Sequence, residues 1–216
     1  MNKTKISFGK IGKYIREISV VVIGVAITLS ASYWITNRNE KKNMALYLSA
    51  IKLELKENMK ILEETNQILI QPSVNYSDYL RSHDKKNLNV DTLKYYFKDG
   101  GPVFNASSIR VITNAFDMFK TSDNVRLVNN KELLLSIWDS YVDLVELKEL
   151  FDMVAQWKLE DMKKYLYSNR NPFDEGVLKN PPLYEFYVTM DAPDVQRKNS
   201  ERVMALLNET ISKLEK

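Results

Sequence analysis

The side chains able to do chemistry are few and poorly grouped for it. The lone histidine, His83, stands between Ser82 and Asp84, the three residue types of a hydrolase triad, but consecutive residues cannot bring nucleophile, base and orienting acid into line. His83 reads as a surface loop residue. Asp139, Asp143, Glu146 and Glu149 recur at helical spacing and could offer carboxylate oxygens to a divalent cation. No Glu-x-x-His pair accompanies them, so a solvated acidic face is the expectation. Asn105, Ala106 and Ser107 match a glycosylation sequon, a pattern too short to discriminate. Tyr95, Tyr96 and Phe97 cluster beside Gly100 and Gly101; such a cluster is core or, failing that, the wall of a possible cleft for a ligand. With no cysteine, six glycines, no phosphate-cradling glycine loop and no nucleophile elbow, the chain reads as a non-enzyme with no cofactor and no metal.

The segment that dominates the sequence is apolar. From Ile18 to Ile35 no residue is charged, and Lys3, Lys5, Lys10, Lys13 and Arg16 precede the run while Arg38, Lys41 and Lys42 follow it. Eighteen helical residues span about 27 Å, close to the hydrocarbon thickness of a bilayer. A cleaved signal peptide would carry a shorter apolar core and a small-residue cleavage site, whereas Tyr33 and Trp34 occupy that place. These two fit better as interfacial anchors, with Arg16 at the other end of the span. The heavier positive flank puts the N-terminus in the cytoplasm. The expected organisation is a basic cytoplasmic tail over residues 1–17, a transmembrane helix over 18–36 and an exported, periplasmic domain over 37–216, which makes the chain a single-pass inner-membrane protein. Gly24, Thr28 and Ser32 recur every four residues and could admit a second helix closely within the membrane. Glu17, at the cytoplasmic mouth, could contact a partner helix or pair locally with Lys13 or Arg16.

Charge is divided the same way. Residues 1–42 carry eight Lys/Arg against two Asp/Glu, so the net +3 of the whole chain leaves −3 for the remainder. The basic surplus belongs to the anchor and its anionic lipid headgroups. Nucleic-acid binding by the exported part is therefore not expected. Without disulfides that part is held by its core, and about 170 residues are enough for one.

Beyond the span the periodicity is helical. Leu48, Ile51, Leu55, Met59, Leu62 and Leu69 recur at spacings of three, four and seven on a stretch free of Gly and Pro until Pro72, so the membrane helix is expected to continue into this one. A second helix is expected over residues 90–98, ended by Gly100, Gly101 and Pro102. A third is expected from Ala106 to Lys120, with Ile109, Ile112, Ala115, Phe116 and Phe119 on one side. The longest starts at an Asn130 N-cap and runs to Ser168. An irregular stretch with Pro172, Pro181, Pro182 and Pro193 follows, and a last helix uses Val203, Leu206, Leu207, Ile211 and Leu214. The fold class expected is all-α: one N-terminal transmembrane helix continuing into a soluble antiparallel helical bundle.

The stretch EISVVVIGVAITLSASYW, followed by LELKEN, resembles the start of the DUF6090 family of Bacteroidota, whose members carry a pattern close to GEIxLVVxGIxIALxxxxW and then an EL-containing helix. Glu17, Ile18, Val21, Val22, Gly24, Ile27, Leu29 and Trp34 match in register. AFDMFKTSDNVRLVNNKELLLSIWDSY is similar to that family's short helix, turn and long helix. Arg16 stands where the family usually has Gly, and Ser30 and Ser32 where it has Gln or Asn. The resemblance implies an inner-membrane location and a Bacteroidota origin, and it supplies no activity.

Three kinds of function remain. The first is an accessory or scaffolding subunit, whose protein partner would meet a flat apolar face. The second is a small-molecule sensor signalling through a partner, which would show a cavity lined by Tyr and Arg. The third is a structural homo-oligomer, with the helix from Met44 forming a coiled coil.

Overall fold

The computed structural model of the chain describes residues 8–98, 101–169, 171, 174–178 and 183–215; the side chains of residues 8–18, 86, 123, 124, 175 and 178 lie outside that description. Every regular element among the described residues is helical. Helix α1, Phe8–Thr65, is continuous for 58 residues, about 87 Å, because nothing in it after Gly24 breaks the backbone ladder. Residues 19–36 of it are all exposed, and this is one helix long and apolar enough to cross a membrane, near the N-terminus. The hydroxyl of Thr28 donates to the Gly24 carbonyl at 2.9 Å, which satisfies it within its own helix.

Pro72 does not stop this helix. A π-helical turn, Asn66–Ile70, leads directly into α2, Gln71–Ser82, and the Gln71 N–H reaches back five residues to the Asn66 carbonyl. Widening the turn makes room for a residue that lacks an N–H and whose ring crowds the preceding turn. Helix α3, Val90–Phe97, starts at Asn89, whose side chain accepts from the Asp91 and Thr92 N–H groups. The chain then turns at Gly101, where a Cβ would come within 2.4 Å of the Tyr96 carbonyl oxygen, so only glycine fits. Gly100 lies outside the described residues.

The helix expected over 106–120 is only half formed. Helix α4 is Asn114–Thr121, and residues 105–113 form an irregular strap. Tertiary partners take the backbone groups a helix would have used. Asn58 on α1 donates to the Ile112 carbonyl at 2.8 Å and accepts from the Ile112 N–H at 2.9 Å, and the Asn105 side chain accepts from the Ser107 N–H at 3.1 Å. A backbone bonded this way is as well satisfied as a helix. Ile109 and Phe119 are nonetheless buried, so the apolar spacing marked core positions correctly while the local conformation differs.

Helix α5, Lys131–Ser168, is the long helix, and the Asn130 side chain caps it by accepting from the Leu133 N–H. A four-residue helix α6, Glu175–Leu178, lies in the irregular stretch, where Pro172, Pro181 and Pro182 fall outside the described residues. A second π-helical turn, Glu185–Thr189, sits between Leu183 and Asp191, both with positive φ. Helix α7, Ala192–Leu214, takes Pro193 in its first turn, where no N–H is needed. It runs antiparallel to α5: Lys213 bonds Ser136, Thr210 bonds Ser140 and Arg202 pairs with Asp143. It also runs antiparallel to α1 and the turn that continues it, Lys56 pairing with Glu215 and the Asn66 amide meeting the Met204 sulfur. One core cluster joins Ile51, Leu55 and Leu62 of α1 to Leu144 of α5 and Leu207 of α7; a second gathers Tyr76, Phe97, Val154 and Tyr187 farther along α5.

Candidate functional site: the clefts beside α4

Glu54 sets the position of α4. It belongs to the buried face of α1, and its carboxylate accepts from the Ala115 N–H at 2.8 Å, the Phe116 N–H at 3.2 Å and the Tyr141 hydroxyl at 2.6 Å. Thr113, the N-cap residue, makes no side-chain cap bond; a carboxylate from another helix supplies the cap and complements the positive end of the helix dipole. Burial, and then the bond to Glu54, hold the Tyr141 phenol well above the ordinary tyrosine range. Phe116 stacks on Tyr141 at 4.2 Å between ring centroids, and Trp138 meets Phe116 edge-on at 5.2 Å.

So held, α4 leaves an open cleft on each side. Between α1 and α4 one of about 710 Å³ is walled mainly by Leu46, Tyr47, Ala50, Ile112, Ala115 and Met118. Between α4 and α5 one of about 370 Å³ is walled by Phe116, Trp138, Tyr141, Val142 and Val145, with Asp117, Lys120 and Glu146 at its rim. Both are walled mainly by apolar side chains; at the rim of the smaller one the Thr113 hydroxyl donates to the Asp117 carboxylate at 2.8 Å and Lys120 pairs with the same carboxylate at 2.6 Å. Their walls offer burial to the apolar groups of whatever occupies them.

A second polar centre lies deeper. Lys158 is buried, and no carboxylate pairs with it among the described residues; its amine donates to the Pro102 carbonyl at 2.6 Å and the Asn105 carbonyl at 2.7 Å, and lies 5.6 Å from the Tyr187 ring. Tyr187 donates its hydroxyl to the same Pro102 carbonyl at 3.0 Å. Burial alone pulls the Lys158 amine down to about 7. The enclosed space against it is about 10 Å³, so Lys158 ties α5 to the start of the strap and faces no substrate-sized cavity.

The residues singled out from the sequence are not gathered into one site. Gly24, Thr28 and Ser32 are exposed along α1, and a Cβ added at Gly24 would meet nothing within 4 Å. Tyr33 and Trp34 are exposed, with the Arg38 guanidinium 5.6 Å from the Trp34 ring. The side chains of Arg16 and Glu17 lie outside the described residues. Tyr95, Tyr96 and Phe97 diverge: Phe97 is in the second core cluster, Tyr96 is half-buried 4.8 Å from Tyr76, and Tyr95 is exposed with Lys98 over its ring. The clefts beside α4 are built from other residues. His83 is an exposed residue just past α2, its ring bonded to the Tyr79 carbonyl at 3.0 Å and to Ser82. Among the described residues no three His, Asp or Glu side chains gather as a metal-ligand set.

Glu54, Asn58 and Lys158 are the organising polar residues that went unread. Their signal is present: Asn58 falls three residues after Leu55 and four before Leu62, and Lys158 lies midway between Val154 and Met162. A polar residue at a core-facing step of an apolar helix must find partners. No family model, no curated protein and no solved structure matches the chain.

Proposed function

We propose that this protein is a single-span subunit of the inner membrane whose exported helical domain, an antiparallel bundle over residues 37–216, binds other proteins in an accessory or scaffolding role without catalysis. In this reading the N-terminal tail is cytoplasmic, the domain periplasmic, and the chain a divergent member of the DUF6090 family. The observation that carries the role is the open apolar surface on both sides of α4, where hydrophobic side chains are grouped into clefts instead of scattered singly. The unbroken α1 adds a rigid link between that surface and the span. Gentle extraction of the tagged full chain at native expression, with mass determination of the particle and identification of its contents, tests the role. Foreign subunits at fixed stoichiometry support it, and a particle holding only this chain overturns it.

The 710 Å³ cleft between α1 and α4 supports a second reading, a small-molecule sensor acting through a partner, by its volume alone, which lies within the range of ligand pockets; its lining includes Tyr47 and none of the arginines that reading expects. That reading predicts a small molecule that raises the melting temperature of the domain. A particle containing only this chain and indifferent to metabolites would instead favour the structural homo-oligomer.

A further inference from the structure

Helix α5 carries a second, outward face that the fold does not use. Leu135, Trp138, Val142 and Val145 are 61%, 42%, 43% and 43% exposed and follow one another at steps of three, four and three, forming a ridge about 15 Å long on one side of the helix. Such a ridge matches about three turns of another helix laid against it, with the cleft beside Phe116 receiving side chains from that helix.

One edge of the ridge is acidic. Asp139, Glu146 and Glu149 are exposed and make no hydrogen bond or ion pair among the described residues, unlike Asp143, which Arg202 neutralises at 2.6 Å. Between Lys131 and Glu149 the chain has five acids against two lysines. Three free carboxylates along an apolar ridge select what can cover it. An anionic bilayer surface is repelled. A second copy laid antiparallel on this face would bring its own acidic edge against this one, and like charges so placed destabilise a pairing. A helix with an apolar ridge and a row of Lys or Arg along one edge satisfies both features, covering the ridge and pairing the carboxylates.

We propose that the Leu135–Val145 face of α5, with its Asp139, Glu146 and Glu149 edge, is the docking surface for a basic amphipathic helix of another protein. The assignment rests on the accessory role proposed above and gives that role its surface and the chemistry of its partner.

The test uses the full chain in phosphatidylcholine nanodiscs, with empty discs subtracted, and two labelled 18-residue helical peptides that share leucines at heptad a and d positions and differ in carrying lysines or glutamates along one edge. Anisotropy is expected to give the lysine peptide about tenfold tighter binding, weakening with salt. The D139K/E146K/E149K variant should invert the preference. Leu135→Asp changes a side chain the core does not need and should abolish binding with the helical circular dichroism unchanged. Equal binding of the two peptides, no binding of either, or a preference that survives the triple reversal would overturn the assignment. The native particle separates this failure from that of the accessory role. Foreign subunits retained by the triple variant overturn the surface and leave the role standing, whereas a particle without foreign subunits removes the role itself.

Discussion

Lys158→Met gives the sharpest test of how the second core cluster is held. The amine is buried and pulled down to about 7 from 10.5, so between those values the unfolded chain binds a proton that the folded chain releases. Folding stability therefore rises with pH across that window, by up to about 1.4 kcal/mol per pH unit. The contribution is complete above 10.5 and is lost as pH falls toward 7. At pH 7 the half-protonated amine costs about 4 kcal/mol relative to a side chain that never ionises, and at pH 10 the cost is about 1 kcal/mol. Methionine keeps most of the volume and removes this cost. It also leaves the Asn105 carbonyl without the Lys158 donor, while the Pro102 carbonyl keeps the Tyr187 hydroxyl; that loss is about 1–3 kcal/mol and does not depend on pH. The stability of Lys158→Met relative to wild type should fall by about 3 kcal/mol between pH 7 and pH 10. Urea unfolding of the full chain in micelles, followed by Trp138 and Trp157 fluorescence, measures it. The buried tyrosines Tyr76 and Tyr187, raised by burial, lower stability above about pH 10 in both proteins and cancel in the difference. A difference that stays flat across the range would refute the claim that the amine releases its proton in the folded state.

Glu54→Leu should lower stability by about 3 kcal/mol in the same urea assay, because two N–H groups at the start of α4 and the Tyr141 hydroxyl lose their acceptor together. The deficit should be accompanied by a changed Trp138 emission, since Phe116 and Trp138 lose their common support; an unaltered midpoint would show that α4 is held by packing alone. Leu144→Ala, at a fully buried position of the first core cluster, should cost about 2–5 kcal/mol with an unchanged denaturant slope. Replacing Val22 and Val25 together by Arg places two charges in the exposed apolar stretch of α1 at about 2.5–3.5 kcal/mol each; the protein should then leave the membrane fraction in an alkaline carbonate wash, and retention would contradict a spanning helix.

The helices of this protein are legible in its sequence wherever the local signal and the packing agree. Asn130 caps α5 because an amide side chain at a helix start satisfies an N–H that would otherwise be orphaned, whatever surrounds it. The apolar run at Ile18–Ile35 is one face-independent property of eighteen residues and needs no partner to be read. The strap at 105–113 is different. Its residues have the spacing of a helix, yet Asn58, some fifty residues away, bonds both backbone groups of Ile112, and Lys158 holds the Asn105 carbonyl. Pro72 is a second case: the proline that ends the Gly- and Pro-free stretch is absorbed by a π-helical turn, on which the distant α7 packs.

The clefts beside α4 were beyond local reading for the same reason. Leu46 and Met118, or Trp138 and Phe116, become neighbours only once Glu54 has fixed where α4 begins. What the amino-acid sequence determined by itself is everything set by a residue and its near neighbours on one helix: helical class, the long apolar segment, the start of α5, the acidic spacing along it. What only the tertiary structure decided is where backbone groups find partners when the local ladder is abandoned and which apolar faces are left uncovered, since both depend on side chains far apart in the chain competing for the same hydrogen bonds and the same buried surface.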